Sequence, residues 1–272
     1  AAPPSGSFLD GTPFNTKLFN YTGKVTYQLN QANKFVAYLQ HGTKQQPNRT
    51  DINTGGAPTH ITAASTTLQD SPSWVYKGEW NGTIGQNLFA EVRAGQFGYN
   101  FGLVSNTTDT RYESLDRNQV LGGGRDWLSK RRRNQYTMAL SYFKDNFLGG
   151  SHNVKFGGEY LAETGNIIWN QGYADNVIHF VRGDLTGPLT GVTPDSVRLY
   201  YNSDSKNELG TTSVFVTDSW RINRLTLNLG VRYDRYNAGL PDQSLPAGRF
   251  TGAVEYAARP GLVKFNHIVP RF

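Results

Sequence analysis

The residues readiest to bind a metal or move a proton are five histidines, His41, His60, His152, His179 and His267, and they are widely separated. No pair stands at a metal-ligand spacing, so they read as a chance scatter of surface and lumen side chains. Cysteine is absent, which removes disulfides, zinc–cysteine sites and thiol catalysis together. Gly122-Gly123-Gly124-Arg125 puts a basic residue beside a flexible turn. A phosphate-cradling loop would also need a strand before it, a helix after it and a Lys-Ser/Thr pair. No Gly-x-Ser-x-Gly nucleophile turn occurs. Asp and Glu are plentiful, yet no spacing selects an acid–base pair. The densest basic run, Lys130-Arg131-Arg132-Arg133 with Arg125 nearby, has no nucleic-acid module beside it and reads as a solvated loop or strand end. Asn48-Arg49-Thr50 fits the glycosylation triplet, a pattern short enough to arise by chance. The sequence therefore predicts no catalytic residue, no cofactor, no metal site and no nucleic-acid partner.

The elements carrying these residues have the strand period of two. Tyr21, Gly23, Val25, Tyr27 and Leu29 fall on one face, opposite Thr22, Lys24, Thr26, Gln28 and Asn30. Leu225, Leu227, Leu229, Val231 and Tyr233 oppose Thr226, Asn228, Gly230, Arg232 and Asp234. The same alternation runs through 74–81, 88–95, 135–142, 153–160 and 213–221, and 34–41 is strand-like with less distinct faces. Short polar turns join the strands in pairs, at 31–33, 81–86, 148–151 and 223–224. Long stretches rich in Gly, Asn, Asp, Ser, Thr and Pro join one pair to the next, over 45–71, 100–133, 164–210 and 239–262. Two more strand segments are expected in the third stretch, at 177–182 and 197–201.

This alternation of tight turns and long loops predicts a transmembrane antiparallel β-barrel segment, all-β, with short periplasmic turns and long extracellular loops. A compact soluble domain seldom keeps several loops longer than about 12–15 residues. Only 37% of the 272 residues are apolar, and the mean hydropathy is −0.53. Barrel strands average to such values because lipid-facing and interior residues alternate. The net charge of +6 is modest for the length. The start, Ala1-Ala2-Pro3-Pro4, lacks the basic-then-apolar pattern of a secretory leader, so a mature form or an internal fragment is expected.

Charge separates the two faces. The apolar faces carry one charge, Asp218, while the opposite faces carry Lys24, Lys77, Glu79, Glu91, Arg93, Lys155, Glu159, Arg221, Arg232 and Asp234. A Lys or Arg facing lipid near the bilayer midplane costs about 2–4 kcal/mol, and about 0–1 near the interface, where Asp218 is expected beside Trp220. Tyr21, Trp74, Trp80, Tyr136, Tyr142, Tyr160, Trp220 and Tyr233 lie on the apolar faces, mostly near the expected strand ends. That placement suits the aromatic girdles at a membrane interface.

The segment from Ser213 to Asp234 resembles a barrel hairpin of TonB-dependent receptors. The resemblance rests on Asp218, Trp220, Leu225, Leu227, Gly230, Arg232, Tyr233 and Asp234. Tyr27–Lys34 with Gln46–Arg49, His152–Tyr160 and Phe265–Phe272 resemble the Oar-like subgroup. Thr217 and Val269 depart from the glutamine and serine usual there. The resemblance implies a partial β-barrel over 1–272, with about eight to ten of roughly 22 strands, and with the plug and TonB box outside this chain. It implies the bacterial outer membrane, with membrane lipid, the TonB complex and an unknown transported solute as partners. Lys24, Lys77, Glu79, Glu91, Arg93, Lys155, Glu159 and Arg232 would face the lumen, to pass ligand or, more simply, to pack against the plug and be solvated.

Two other readings fit the same residues. One is a complete small outer-membrane barrel, a surface hydrolase with acidic and histidine residues at its rim. Phe272 as a terminal aromatic favours it, and Pro270 with Arg259-Pro260-Gly261 opposes it. The other is a soluble β-rich carbohydrate-binding module that exposes aromatics to sugars.

Overall fold

The structure, a computed structural model, describes residues 15–50, 59–171 and 176–271. Strands β1 (Lys17–Asn30) and β2 (Asn33–Arg49) form the first hairpin, followed by the short β3 (Thr59–His60). β4 (Thr67–Ile84) and β5 (Leu88–Ser105) form the second, and β6 (Arg111–Ser114) and β7 (Gln119–Leu121) lie in the connection after it. β8 (Arg125–Phe147) and β9 (Gly150–Gln171) form the third, with β10 (Val177–Arg182) and β11 (Thr193–Leu199) beyond. β12 (Ser203–Ile222) and β13 (Leu225–Leu240) form the fourth, and β14 (Gln243–Leu245) and β15 (Val254–Tyr256) precede β16 (Arg259–Arg271). The main sheet has nine strands in the order β1-β2-β4-β5-β8-β9-β12-β13-β16, each antiparallel to its neighbours and left open between β1 and β16.

Directly opposed residues share a face of a sheet. One row runs Val25, Ala37, Gly78, Ala94, Tyr136, Tyr160, Thr212 across seven strands. A second runs Phe156, Val216, Val231. All seven apolar faces read from the sequence therefore fall on one side of the sheet. Three hollows open on the other side, bordered by Lys77, Arg93 and Gln135, by Asn153, Lys155 and Thr217, and by Arg131, Arg133 and Glu163. The sheet thus curls with its charged face concave and its apolar face convex.

Among the described residues no second layer covers the convex face. Tyr27, Leu39, Tyr76, Met138, Phe156, Val214, Leu229 and Ile268 along it are all exposed. The buried apolar residues lie elsewhere. Of Ala90, Val120, Val177, Ile178, Val181 and Leu185, Ala90 alone belongs to the nine-stranded sheet. The others form a small core in a second sheet, ordered β11-β10-β6-β7-β3, which three successive long connections build together. The two extra strands expected in the third stretch are β10 and β11, the second beginning at Thr193.

The strands are longer than the sequence predicts. They continue to Arg49, Ser105, Gln171 and Leu240 and resume at Thr67, Arg125, Ser203 and Arg259, well inside the stretches read as irregular. Beyond the apolar belt the alternation breaks down, because on β5 Phe97, Tyr99, Phe101 and Leu103 stand on the side that is charged lower in the sheet, while the backbone ladder goes on. The aromatics expected at strand ends consequently sit further inside the strands on the loop side. Trp74, for example, is seven residues from the start of β4, since Thr67 begins it. The turns tighten correspondingly. Between β8 and β9 only Leu148 (φ 48°) and Gly149 (φ 79°) remain, both in the left-handed region that a two-residue hairpin loop requires.

Candidate functional site

The concave face gathers all eight charges expected to face the interior. Lys24 opposes Tyr38, which opposes Lys77. Lys77 Nζ lies 3.0 Å from Glu79 Oε2, and Arg93 Nε lies 3.3 Å from the same oxygen. Asn81 donates to Glu79 Oε1 at 2.9 Å. Arg93 Nη2 also donates to Glu91 Oε1 at 2.8 Å, and Lys155 reaches Glu91 Oε2 from β9 at 3.0 Å, spanning the intervening β8. Gln135 donates to Glu159 at 2.8 Å. Arg232 Nε and Ser213 Oγ donate to Asp234 Oδ1 at 2.8 and 2.5 Å. Strand alternation sets these side chains inward at every second residue, and pairing lets a side chain on one strand neutralise the next. On the turn-side half of the concave face Lys77, Glu79, Glu91, Arg93 and Lys155 thus form one connected network of charges, and Lys24 stands outside it.

The loop-side half is different. Tyr99 and Phe101 on β5, Trp127 on β8 and Trp169 on β9 form a continuous row of rings. The centroid separations are 6.4 Å for Tyr99–Phe101, 4.9 Å for Phe101–Trp127 and 5.4 Å for the stacked Trp127–Trp169 pair. The Arg125 guanidinium sits between the Trp169 and Tyr200 rings, 4.4 and 4.3 Å from their centroids, and Arg49 lies 5.1 Å from the centroid of Phe101. Rings and guanidinium groups together hold ligands that present a flat or apolar face and an anionic edge. Just below, a hollow of about 670 Å³ extends from Phe97 on β5 to Val263 on β16, and its charged lining includes Arg131, Arg133 and Glu163. Arg133 is ion-paired with Glu163. The aromatic row and the cations above this hollow were not expected from the sequence, because all its members but Tyr99 lie in stretches read as loops.

The convex face carries all eight aromatics expected at the membrane interface. Tyr21 and Trp74 stand on the loop side in one row through His41, while Tyr136 and Tyr160 oppose each other with rings stacked at 6.4 Å. Tyr233 opposes Val214. Trp80, Tyr142 and Trp220 lie nearer the turns. The indole N–H of Trp74 donates to Gln96 at 3.0 Å, and that of Trp80 donates to Asn33 at 2.9 Å. The Trp74 ring lies over Gly98, its direct partner across the ladder, where a Cβ would collide with it.

Asp218 sits on the convex face near the turns, as expected, and it has a partner the sequence does not reveal. His152 Nδ1 lies 2.6 Å from Asp218 Oδ2, its Nε2 lies 3.1 Å from the Phe147 carbonyl oxygen, and its ring stacks on Trp220 at 5.2 Å. His60 is also buried, with Nδ1 2.8 Å from the Ser65 carbonyl oxygen. These two histidines are therefore neither at the surface nor in the lumen, where the sequence reading puts them, but are buried and hold local structure. Among the described residues no three His, Cys, Asp or Glu side chains gather as metal ligands.

Residues 1–250 match the family described as "Outer membrane beta barrel domain". No curated protein matches the sequence. Among solved structures, the chain is similar to the outer membrane transporter YddB from Escherichia coli, with a TM-score of 0.59 at 12% identity over 87% of this chain and 32% of that one. It is similar to the RagAB peptide transporter, with a TM-score of 0.56 at 12% identity over 90% and 36%. It is also similar to the siderophore receptor PiuA from Acinetobacter baumannii, with a TM-score of 0.52 at 12% identity over 98% and 40%. The chain thus spans well under half the length of these structures, and at such identity the likeness is one of fold.

Proposed function

The chain belongs to the outer membrane β-barrel domain family, which places it in the bacterial outer membrane; on that premise we propose that it is wall and loops of a TonB-dependent, Oar-like receptor. In this reading the receptor takes up a scarce solute. The long connections with their five-stranded sheet capture it outside, and a plug and TonB box elsewhere in the polypeptide couple release to the TonB complex. Lys24, Lys77, Glu79, Glu91, Arg93, Lys155, Glu159 and Arg232 face the lumen and hold the plug. Tyr21, Trp74, Trp80, Tyr136, Tyr142, Tyr160, Trp220 and Tyr233 stand at the two membrane interfaces. The observation that carries the reading is the pair of unlike faces: one uncovered and apolar across nine strands, the other concave and charged. A water-soluble module would hide the first, and lipid covers it here.

The test is growth of a strain lacking the full-length protein, and of one lacking TonB, on ferric catecholate, ferric citrate, a maltooligosaccharide or an oligopeptide as the limiting nutrient. Both strains are expected to lose growth on the same one of the four. Unimpaired growth of both on all four sinks the transport reading. Loss in the receptor mutant alone removes TonB from it.

A further inference from the structure

The basic run Lys130-Arg131-Arg132-Arg133 is not a loop but lies within β8, and alternation sends Arg131 and Arg133 into the concave hollow. The two differ in company. Arg133 is neutralised by Glu163, its direct partner across the ladder. Arg131 is exposed and has no ion-pair or hydrogen-bond partner among the described residues. It opposes Tyr99 on one side and Gly165 on the other, and Gly165 opposes Asn207. The Asn207 amide lies over Gly165, where a Cβ would collide with its Oδ1. The Tyr99 hydroxyl and the Asn207 amide likewise have no hydrogen-bond partner among the described residues. One row across four strands thus presents a phenol, a guanidinium and an amide around a residue with no side chain. Beyond Asn207 the hollow changes character, because its concave lining on β12, β13 and β16 is aliphatic: Leu209, Ala238, Leu240 and Val263. Leu209 opposes Ala238, and Ala238 opposes Val263. Val263 is exposed and the other three are half-buried. A barrel interior is otherwise polar, so an aliphatic row on this face marks a binding surface.

We propose that this hollow binds an aliphatic monocarboxylate, its head held by Arg131, Tyr99 and Asn207 and its chain laid along Leu209, Ala238, Leu240 and Val263. The inference rests on the reading of the concave face as the lumen of a receptor, and it names the class of solute. One uncompensated cation matches one negative charge, and the planar guanidinium fork matches the two oxygens of a carboxylate. The phenol and the amide supply further donors to the same head. From Gly165 to Val263 the hollow crosses three strand spacings, about 14 Å, which suits an extended chain of roughly ten carbons. A free inorganic anion would leave the aliphatic row wet, and a neutral hydrocarbon would leave Arg131 without a counter-charge, so the occupant carries both parts.

The test uses the full-length protein in nanodiscs, irradiated with decanoate that carries a diazirine at its chain end, with the labelled positions mapped by mass spectrometry. Labelling is expected within 238–240 and 262–263. Excess decanoate is expected to suppress it, and excess acetate or decanamide is not. R131Q is expected to reduce it about ten- to a hundred-fold, the loss of a charge-assisted pair. R132Q, which removes the same charge from the convex face, is expected to leave it unchanged. Probe dissolved in the bilayer marks the convex belt in every form and serves as the internal reference for folding. Equal labelling of R131Q and the unaltered protein, or suppression by decanamide, overturns the site. Absence of label at these positions also overturns it, because another part of the polypeptide then fills the hollow. Growth of the two deletion strains with decanoate as a fifth limiting nutrient separates the two levels. A TonB-dependent loss on another nutrient with no labelling overturns the site alone, and labelling with no growth loss on any nutrient overturns the transport reading and leaves the site.

Discussion

The side chains of the concave face differ in what they contribute, and exposure decides which matter. Glu91 joins Arg93 and Lys155, but both cations are more than two-fifths exposed, so solvent screens the attraction. E91Q is expected to cost under about 1 kcal/mol. Asp234 is nearly buried and is the shared acceptor of Ser213 and Arg232. D234A strands a hydroxyl and a half-buried guanidinium, and is expected to cost about 2–3 kcal/mol. Urea titration of the full-length protein refolding into detergent micelles measures both. An E91Q loss as large as that of D234A would show that the network acts as a unit. The sequence gives the facing of Glu91 and Asp234 through strand parity alone. It does not give their partners, because a ladder joins residues far apart in the chain: His152 and Asp218, 66 positions apart, are the clearest case.

At the scale of the strand, alternation is the property that can be broken one residue at a time. Thr137 and Met138 are neighbours on β8, the first beside Arg93 and Glu159 on the concave face, the second opposite Val92 and Gly158 in the middle of the apolar belt. M138K is expected to destabilise the folded protein by about 2–4 kcal/mol, and T137K by well under half of that. The comparison is read from the same urea titration, and equal losses would show that the two faces meet the same surroundings. The hairpins were legible because their apolar face is continuous. The strand extensions were not, since the apolar run changes face there and the period-two pattern is lost. The five-stranded loop sheet was legible only as β10 and β11, because its other strands are short, come from two further connections and pair across long sequence separations, with side-chain clasps beside the ladders. Asp116 accepts from the Gly183 N–H at 2.9 Å and from Ser114 Oγ, and these bonds hold its carboxyl below the usual range. Asp184 is likewise lowered by the Thr186 N–H and hydroxyl and by Gln119 Nε2. A carboxyl depressed in the folded state stabilises above its unfolded pKa of about 3.9 and loses that contribution as pH falls through the folded value. The clasp between the second and third connections is therefore expected to hold at pH 5 and above and to loosen below about pH 4. Hydrogen exchange over 111–121 and 177–185 across that range checks it, and unchanged protection at pH 3 would remove these carboxylates from the account.

For the molecule as a whole, curvature is the property that turns two faces into an inside and an outside, and a period-two pattern says nothing about its direction. A sheet of this sequence could curl either way as far as alternation is concerned. The hollows of the charged face settle it. The consequence reaches every tryptophan in the segment. Of the five, Trp74, Trp80 and Trp220 are convex and Trp127 and Trp169 concave. With tryptophans outside the segment replaced, single-tryptophan forms of the full-length protein in bilayers are expected to divide along that line. Brominated acyl chains quench Trp74 and Trp80 strongly and Trp220 less, because Trp220 sits only two residues from the end of β12 while Trp80 is four from the end of β4. Trp127 and Trp169 stay bright in brominated lipid and are quenched instead by a water-soluble quencher such as iodide. The contrast is independent of the transported solute and of TonB, because it depends only on which way the sheet bends. Quenching of Trp127 by the acyl chains would mean that the charged face is the outer one, and then the charges on it would have to be satisfied by a second protein surface and not by a lumen.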